Sequence, residues 1–160
     1  SFFSRTTAKD REMIDWALTE TNMMEFQHRP IGAMSGGQRQ RAWIAMAIAQ
    51  DTEILFLDEP TSFLDVAHQM EVLRLVQHLN EAYGKTIVMV LHELNQAARF
   101  AHCLVGMCRG QLLYCGTPEE VFHKEMLHRV FHIDAELMSD PRTGKPMCIP
   151  YCVNELEHSA

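Results

Sequence analysis

Two stretches decide the reading: Ile54-Leu55-Phe56-Leu57-Asp58-Glu59, an apolar run tipped by two carboxylates, and Met34-Ser35-Gly36-Gly37-Gln38 upstream of it. Residues 53–58 form a short run that is apolar on both faces, from Ile54 to Leu57, the pattern of a strand covered on both sides in a parallel sheet. Ser35, with Gln38 three residues on, reads as a capping box. The serine oxygen takes a backbone N–H and the glutamine side chain reaches back. The spacing predicts a helix from Ser35 to about Gln50, with Trp43, Ile44, Ala47 and Ile48 as core contacts. Downstream, residues 66–82 carry Val72, Leu73, Val76 and Leu79 at helical spacing, and Gly84 stops that helix. Thr86-Ile87-Val88-Met89-Val90-Leu91 then predicts a second strand buried on both faces. Strand, helix, strand is a βαβ unit, so the class is α/β.

The flanks are simpler. Residues 7–22 read as an amphipathic helix with Met13, Ile14, Ala17 and Leu18 on one face. Pro30 and Gly32 mark a loop. A short helix is expected over 93–101, then strands over 103–108 and 111–115 joined at Arg109-Gly110. Thr117-Pro118-Glu119-Glu120 caps another helix. A further helix runs to about Phe131, and two strand-like pieces flank Asp140–Gly144. Net charge is −7, which disfavours nucleic acid as a partner because phosphate backbones need clustered Lys and Arg. No run of 18 apolar residues is present. The five cysteines form no CxxC pair and read as reduced thiols. His128 and His132, four apart, read as surface residues.

Parallel strands bring their C-terminal ends to one sheet edge, where ligands bind in open α/β sheets. Asp58, Glu59 and His92 therefore fall on one rim. Asp58 is a hard oxygen ligand suited to magnesium. Glu59 suits orientation or deprotonation of a water. A strand-ending Asp-Glu also serves as an N-cap, and that reading stays open. Gly36 and Gly37 are expected to expose backbone N–H groups at a positive helix end, with Ser35 adding a hydroxyl and Arg39 and Arg41 adding charge. A glycine-rich cap without any ligand is the alternative. Asp65 can cap the helix beginning at Val66.

MSGGQ resembles the LSGGQ signature of ATP-binding cassette ATPases, and ILFLDE resembles their Walker B strand. The expected fold is thus a partial P-loop NTPase: parallel strands with flanking helices, part of the helical subdomain and a small C-terminal β/α tail. The resemblance treats 1–160 as one partial domain, with 1–34 ending the helical subdomain, 35–116 holding the signature helix and catalytic core, and 117–160 forming the tail. It assigns Ser35, Gly36, Gly37 and Gln38 to ATP held by a partner subunit. It assigns Asp58 to Mg2+, Glu59 and His92 to catalysis, with His92 near the γ-phosphate, and Ser62 and Asp65 to a loop crossing between subunits. The implied partners are ATP, a second ATPase subunit in a homodimer, and membrane permease subunits. The implied location is cytoplasmic, peripheral on the inner face of a bacterial membrane. Leu64–Gln69, Val90–Ala97 and Asp140–Pro146 place the likeness nearest importers of iron–siderophore complexes, with haem and cobalamin importers nearby. Met34, Phe63 and Glu93 depart from the usual residues.

The phosphate-cradling G-x-x-x-x-G-K-[ST] is not found in the 160 residues. Gly84-Lys85-Thr86 lies between a helix and a strand, the reverse of the required context, and reads as a helix stop. The resemblance implies that the P-loop lies upstream of Ser1 and that the chain is inactive alone. Two other readings are a non-catalytic half-domain that only associates with a partner, and a soluble non-transport ATPase of the same superfamily.

Overall fold

The computed structural model describes residues 6–153. The chain divides into two compact units, Ser1–Val90 and Leu91–Ala160.

The first unit holds helix α1 (Ala8–Glu20), two short 3-10 turns (Met24–Phe26 and Ile31–Ala33), α2 (Gly36–Ile48), strand β1 (Ile54–Asp58), α3 (Val66–Tyr83) and β2 (Thr86–Val90). Strands β1 and β2 pair in parallel, with Ile54 opposite Thr86 and Asp58 opposite Val90. Each helix starts where its sequence supplies a cap. Thr7 accepts from the Asp10 N–H and Asp65 accepts from the His68 N–H. Gly84 ends α3 at φ +64°, a conformation glycine adopts without a Cβ clash. Thr86 begins β2, and Lys85 is held by the Asp51 carboxylate and the Thr52 carbonyl. Gly84-Lys85-Thr86 is thus the helix-to-strand turn that its context predicts.

The core of this unit gathers Ala17, Ile44, Ala45, Ile48, Leu55, Val72 and Leu79. Two expected core residues lie outside it: Trp43 is 50% exposed and Ile14 43% exposed. Trp16 takes the place of Ile14, packing against the core and meeting Tyr83 edge-on at 5.1 Å. The strands also differ from expectation. Leu55 is buried, but Phe56 is 73% exposed, and Ile54, Val88 and Val90 are about half exposed. In the described residues, helices cover only one face of the two-stranded sheet. The apolar residues of the other face have no element of this unit over them.

The second unit holds α4 (Leu94–Phe100), β3 (Leu104–Cys108), β4 (Gln111–Gly116), α5 (Pro118–Val121), α6 (Lys124–Phe131), β5 (Ile133–Ser139) and β6 (Pro146–Val153). Strands β3 and β4 form an antiparallel hairpin, and β5 and β6 a second. Arg109 and Gly110 both have positive φ, which matches the turn geometry that follows the twist of flanking strands. Ala98, Val121, Phe122, Met126, Leu127, Ala135 and Cys148 pack as its core. Asn95 bonds both the N–H and the carbonyl of Cys148, tying α4 to β6.

Candidate functional site

Two neighbouring features of the first unit carry the candidate site. The first is the N-terminus of α2. Ser35 Oγ accepts from the Gln38 N–H at 3.3 Å, and Gln38 Oε1 accepts from the Ser35 N–H at 3.0 Å. The capping box therefore forms as the residue types require. Ser35 and Gly36 are exposed, whereas Gly37 is buried. A Cβ on Gly37 would lie 2.5 Å from Cδ2 of His68, and one on Gly36 would meet Leu64 at 3.6 Å. The glycine pair thus serves two purposes. Gly36 keeps the helix end open, and Gly37 lets the start of α3 approach. Only the first of the two glycines is exposed, where both were expected to be.

Charge at this end also differs from expectation. Arg41 is half-buried and donates to Glu71 at 3.2 Å, a tie between α2 and α3. Arg39 is exposed and is the arginine left to add positive charge near Ser35.

The second feature is the turn after β1. Asp58 is the last residue of the strand and is exposed; Glu59 is half-buried. Glu59 has φ +46°, a left-handed conformation uncommon for a residue with a Cβ. This twist breaks the alternation of the strand, so the two carboxylates need not point to opposite faces. Ser62 Oγ donates to Glu59 Oε2 at 2.8 Å, and the Ser62 N–H donates to the Glu59 carbonyl at 3.1 Å. Buried Pro60 and Thr61 anchor the turn.

The chain from Pro60 to His68 joins the two features. Asp65 caps α3 and its carboxylate also meets His68 Nδ1 at 2.8 Å. The His68 N–H holds the Asp65 carboxyl below its ordinary carboxylate value, with the His68 ring adding to the effect. His68 in turn presses on Gly37. Its importance was readable only in part. An Asp at N-cap with a His three residues on is a visible local pair, but its contact with a residue 31 positions upstream is not.

The structure therefore brings Ser35 and Gly36, Leu64 to His68, and Glu59 with Ser62 into one connected stretch of the first unit. His92 follows β2 by two residues, is exposed, and belongs to the second unit. Among the described residues no group of three or more His, Cys, Asp or Glu is placed to hold a metal ion. Magnesium with a nucleotide commonly needs only one or two protein carboxylates, because phosphates and water complete its shell. The donor set of exposed Asp58 beside Glu59 fits that pattern.

Residues 2–62 match the sequence model of the ABC transporter family. The chain belongs to the ABC transporter ATPase family. It is 54% identical over 151 residues to the Iron(3+)-hydroxamate import ATP-binding protein FhuC of Bacillus subtilis (strain 168), which covers 94% of this chain and 56% of that protein. The chain spans about half the length of the curated relatives it matches. Among solved structures, an inward-facing metal-chelate type ABC transporter superposes with a TM-score of 0.85 at 28% identity, over 95% of this chain and 61% of the other. A dimeric post-hydrolysis state of the ATP-binding cassette MJ0796, bound to ADP and Pi, superposes with a TM-score of 0.60 at 29% identity, over 71% and 50%. The ABC ATPase fold accounts for the α2 cap, the acid-tipped strand and the parallel β1–β2 pair. Among the described residues no helix is long and apolar enough to cross a membrane.

Proposed function

We propose that this chain supplies one part of an ATP-hydrolysing subunit of an importer, with iron–siderophore or related metal chelates as cargo. The observation that carries the reading is the link between the exposed cap at Ser35 and Gly36 and the Glu59–Ser62 turn, made through Leu64–His68. An open helix start offers N–H groups and a hydroxyl to phosphate, and a carboxylate held by Ser62 is fixed in direction. The import cargo rests on the likeness to FhuC, whose name states iron(3+)-hydroxamate import. The whole stretch 1–160 acts in this reading as one partial domain.

In the assembled subunit the turn Ser35, Gly36, Gly37 and Gln38 takes ATP held by a second copy, with exposed Ser35 and Gly36 as its open face and Gly37 packed behind them. Ser62 and Asp65 lie at the crossing between subunits. Glu59 receives the proton of the attacking water, Ser62 keeps Glu59 aimed, and His92 hydrogen-bonds near the γ-phosphate. Asp58 would hold Mg2+, which when bound offsets phosphate charge. The complete assembly docks on permease subunits at the inner face of the cell membrane. The fold of the dimeric cassette bound to ADP and Pi supports this arrangement.

The test is ATP hydrolysis by an assembly in which a P-loop-bearing segment is joined to this chain. Glu59→Gln is expected to lower turnover by about 10²- to 10⁴-fold, the usual worth of a positioned acid–base group. An unchanged rate would overturn the role of Glu59. A second reading is a half-domain that binds a partner without catalysis. It requires that the joined assembly bind ATP and still show no turnover.

A further inference from the structure

The second unit contains a thiol pair that the ATPase reading does not use. Cys103 lies in the bend just before β3, and Cys115 lies in β4. Their sulfurs are 3.9 Å apart, and both residues are exposed. The hairpin register explains the meeting. Val105 stands opposite Cys115, so Cys103, two residues earlier, shares its face as the diagonal neighbour. Cys148 is buried and Cys108 half-buried, so they are less accessible to an oxidant.

We propose that Cys103 and Cys115 form an oxidisable dithiol site that closes to an intrachain disulfide when a disulfide oxidant is present. A disulfide has its sulfurs about 2.05 Å apart, so closure requires about 2 Å of approach. Cys103 precedes the regular strand and both side chains are exposed, which lets rotamer changes and the bend supply that movement. The Cys103 thiolate attacks one sulfur of the oxidant's S–S bond. That bond breaks, and one thiol leaves. Cys115 then attacks the Cys103 sulfur of the mixed disulfide, and the second thiol leaves. Two electrons and two protons pass from the pair to the oxidant, which is reduced to two thiols. Contact with Cys103 raises the Cys115 thiol above its ordinary value, first through the S–H hydrogen bond and then through charge. Cys115 must shed that proton before it attacks as the resolving thiolate. The bridge would fasten the bend before β3 to β4 at Cys115, two residues before Thr117, the cap of α5.

The experiment treats the folded full chain with oxidised glutathione, blocks the remaining thiols with a maleimide and maps peptides by mass spectrometry. The expected product is one peptide pair joined through residues 103 and 115, lighter by two hydrogens. Cys103→Ser and Cys115→Ser should each leave the surviving cysteine as a glutathione adduct, while Cys108→Ser and Cys152→Ser still form the bridge. Phenylarsine oxide, which binds two close thiols, should protect both cysteines from maleimide in the wild type and leave the surviving cysteine of each single variant unprotected. Separate glutathione adducts on Cys103 and Cys115 in the wild type, or a bridge between two chains, would overturn the proposal.

Discussion

At Gly37 a hydrogen in place of a methyl decides whether two helices can meet. Gly37→Ala would place its Cβ 2.5 Å from the His68 ring, which is itself tethered to Asp65. Overpacking of this kind costs about 1–3 kcal/mol. Gly37→Ala should therefore lower the midpoint of urea unfolding, and adding His68→Ala should recover part of the loss. If the second change recovers nothing, the contact is not the cause. Asp65 gives a prediction in pH. Its folded pKa is depressed by the His68 N–H, so its contribution is present above the unfolded value of about 4 and is lost as pH falls through the lower folded value. Asp65→Asn keeps a good N-cap but cannot titrate. The variant should show a shallower loss of stability across the acid range, measured by denaturation at stepped pH. The cap pairs were legible because donor and acceptor lie three residues apart. The Gly37–His68 and Arg41–Glu71 contacts were not, because nothing local encodes which residues of two helices will touch.

Among the elements, those ended by local chemistry were read well. Helix α3 begins at its Asp65 cap and ends at Gly84; the β3–β4 hairpin turns at Arg109-Gly110. Gly84 has φ +64° and open space around it, so Gly84→Ala adds backbone strain without a clash. The expected cost is about 1–2 kcal/mol, visible as a lower melting temperature. The strands β1 and β2 were placed correctly, but their cover was not. A continuous apolar run marks a strand suited to burial on both faces; it does not state which elements do the covering. Trp43 shows the same limit, since helical spacing identifies a face without showing how far the core reaches across it.

For the molecule as a whole, the uncovered face of the first unit matters most. Phe56, Ile54, Val88 and Val90 present apolar surface on a sheet of only two strands. Exposed apolar faces and unpaired strand edges favour association. The 160-residue chain should self-associate with rising concentration, by light scattering, and Phe56→Glu should shift it toward monomer. A concentration-independent monomer would contradict this. The βαβ unit, the signature cap and the acid-tipped strand were legible because each is a short pattern with its own physical cause. The tie between Glu59 and Ser62 was harder to see, because it depends on a left-handed backbone that the residue type does not advertise. Phe63, in the same turn, shows what such geometry does to thermodynamics. Its ring is wholly exposed and its φ is +62°. The native chain gains no packing from that aromatic group, yet bears the strain of a bulky residue in a glycine conformation. Phe63→Gly should therefore make the protein more stable, by about 1 kcal/mol, leaving a surplus that the natural sequence forgoes.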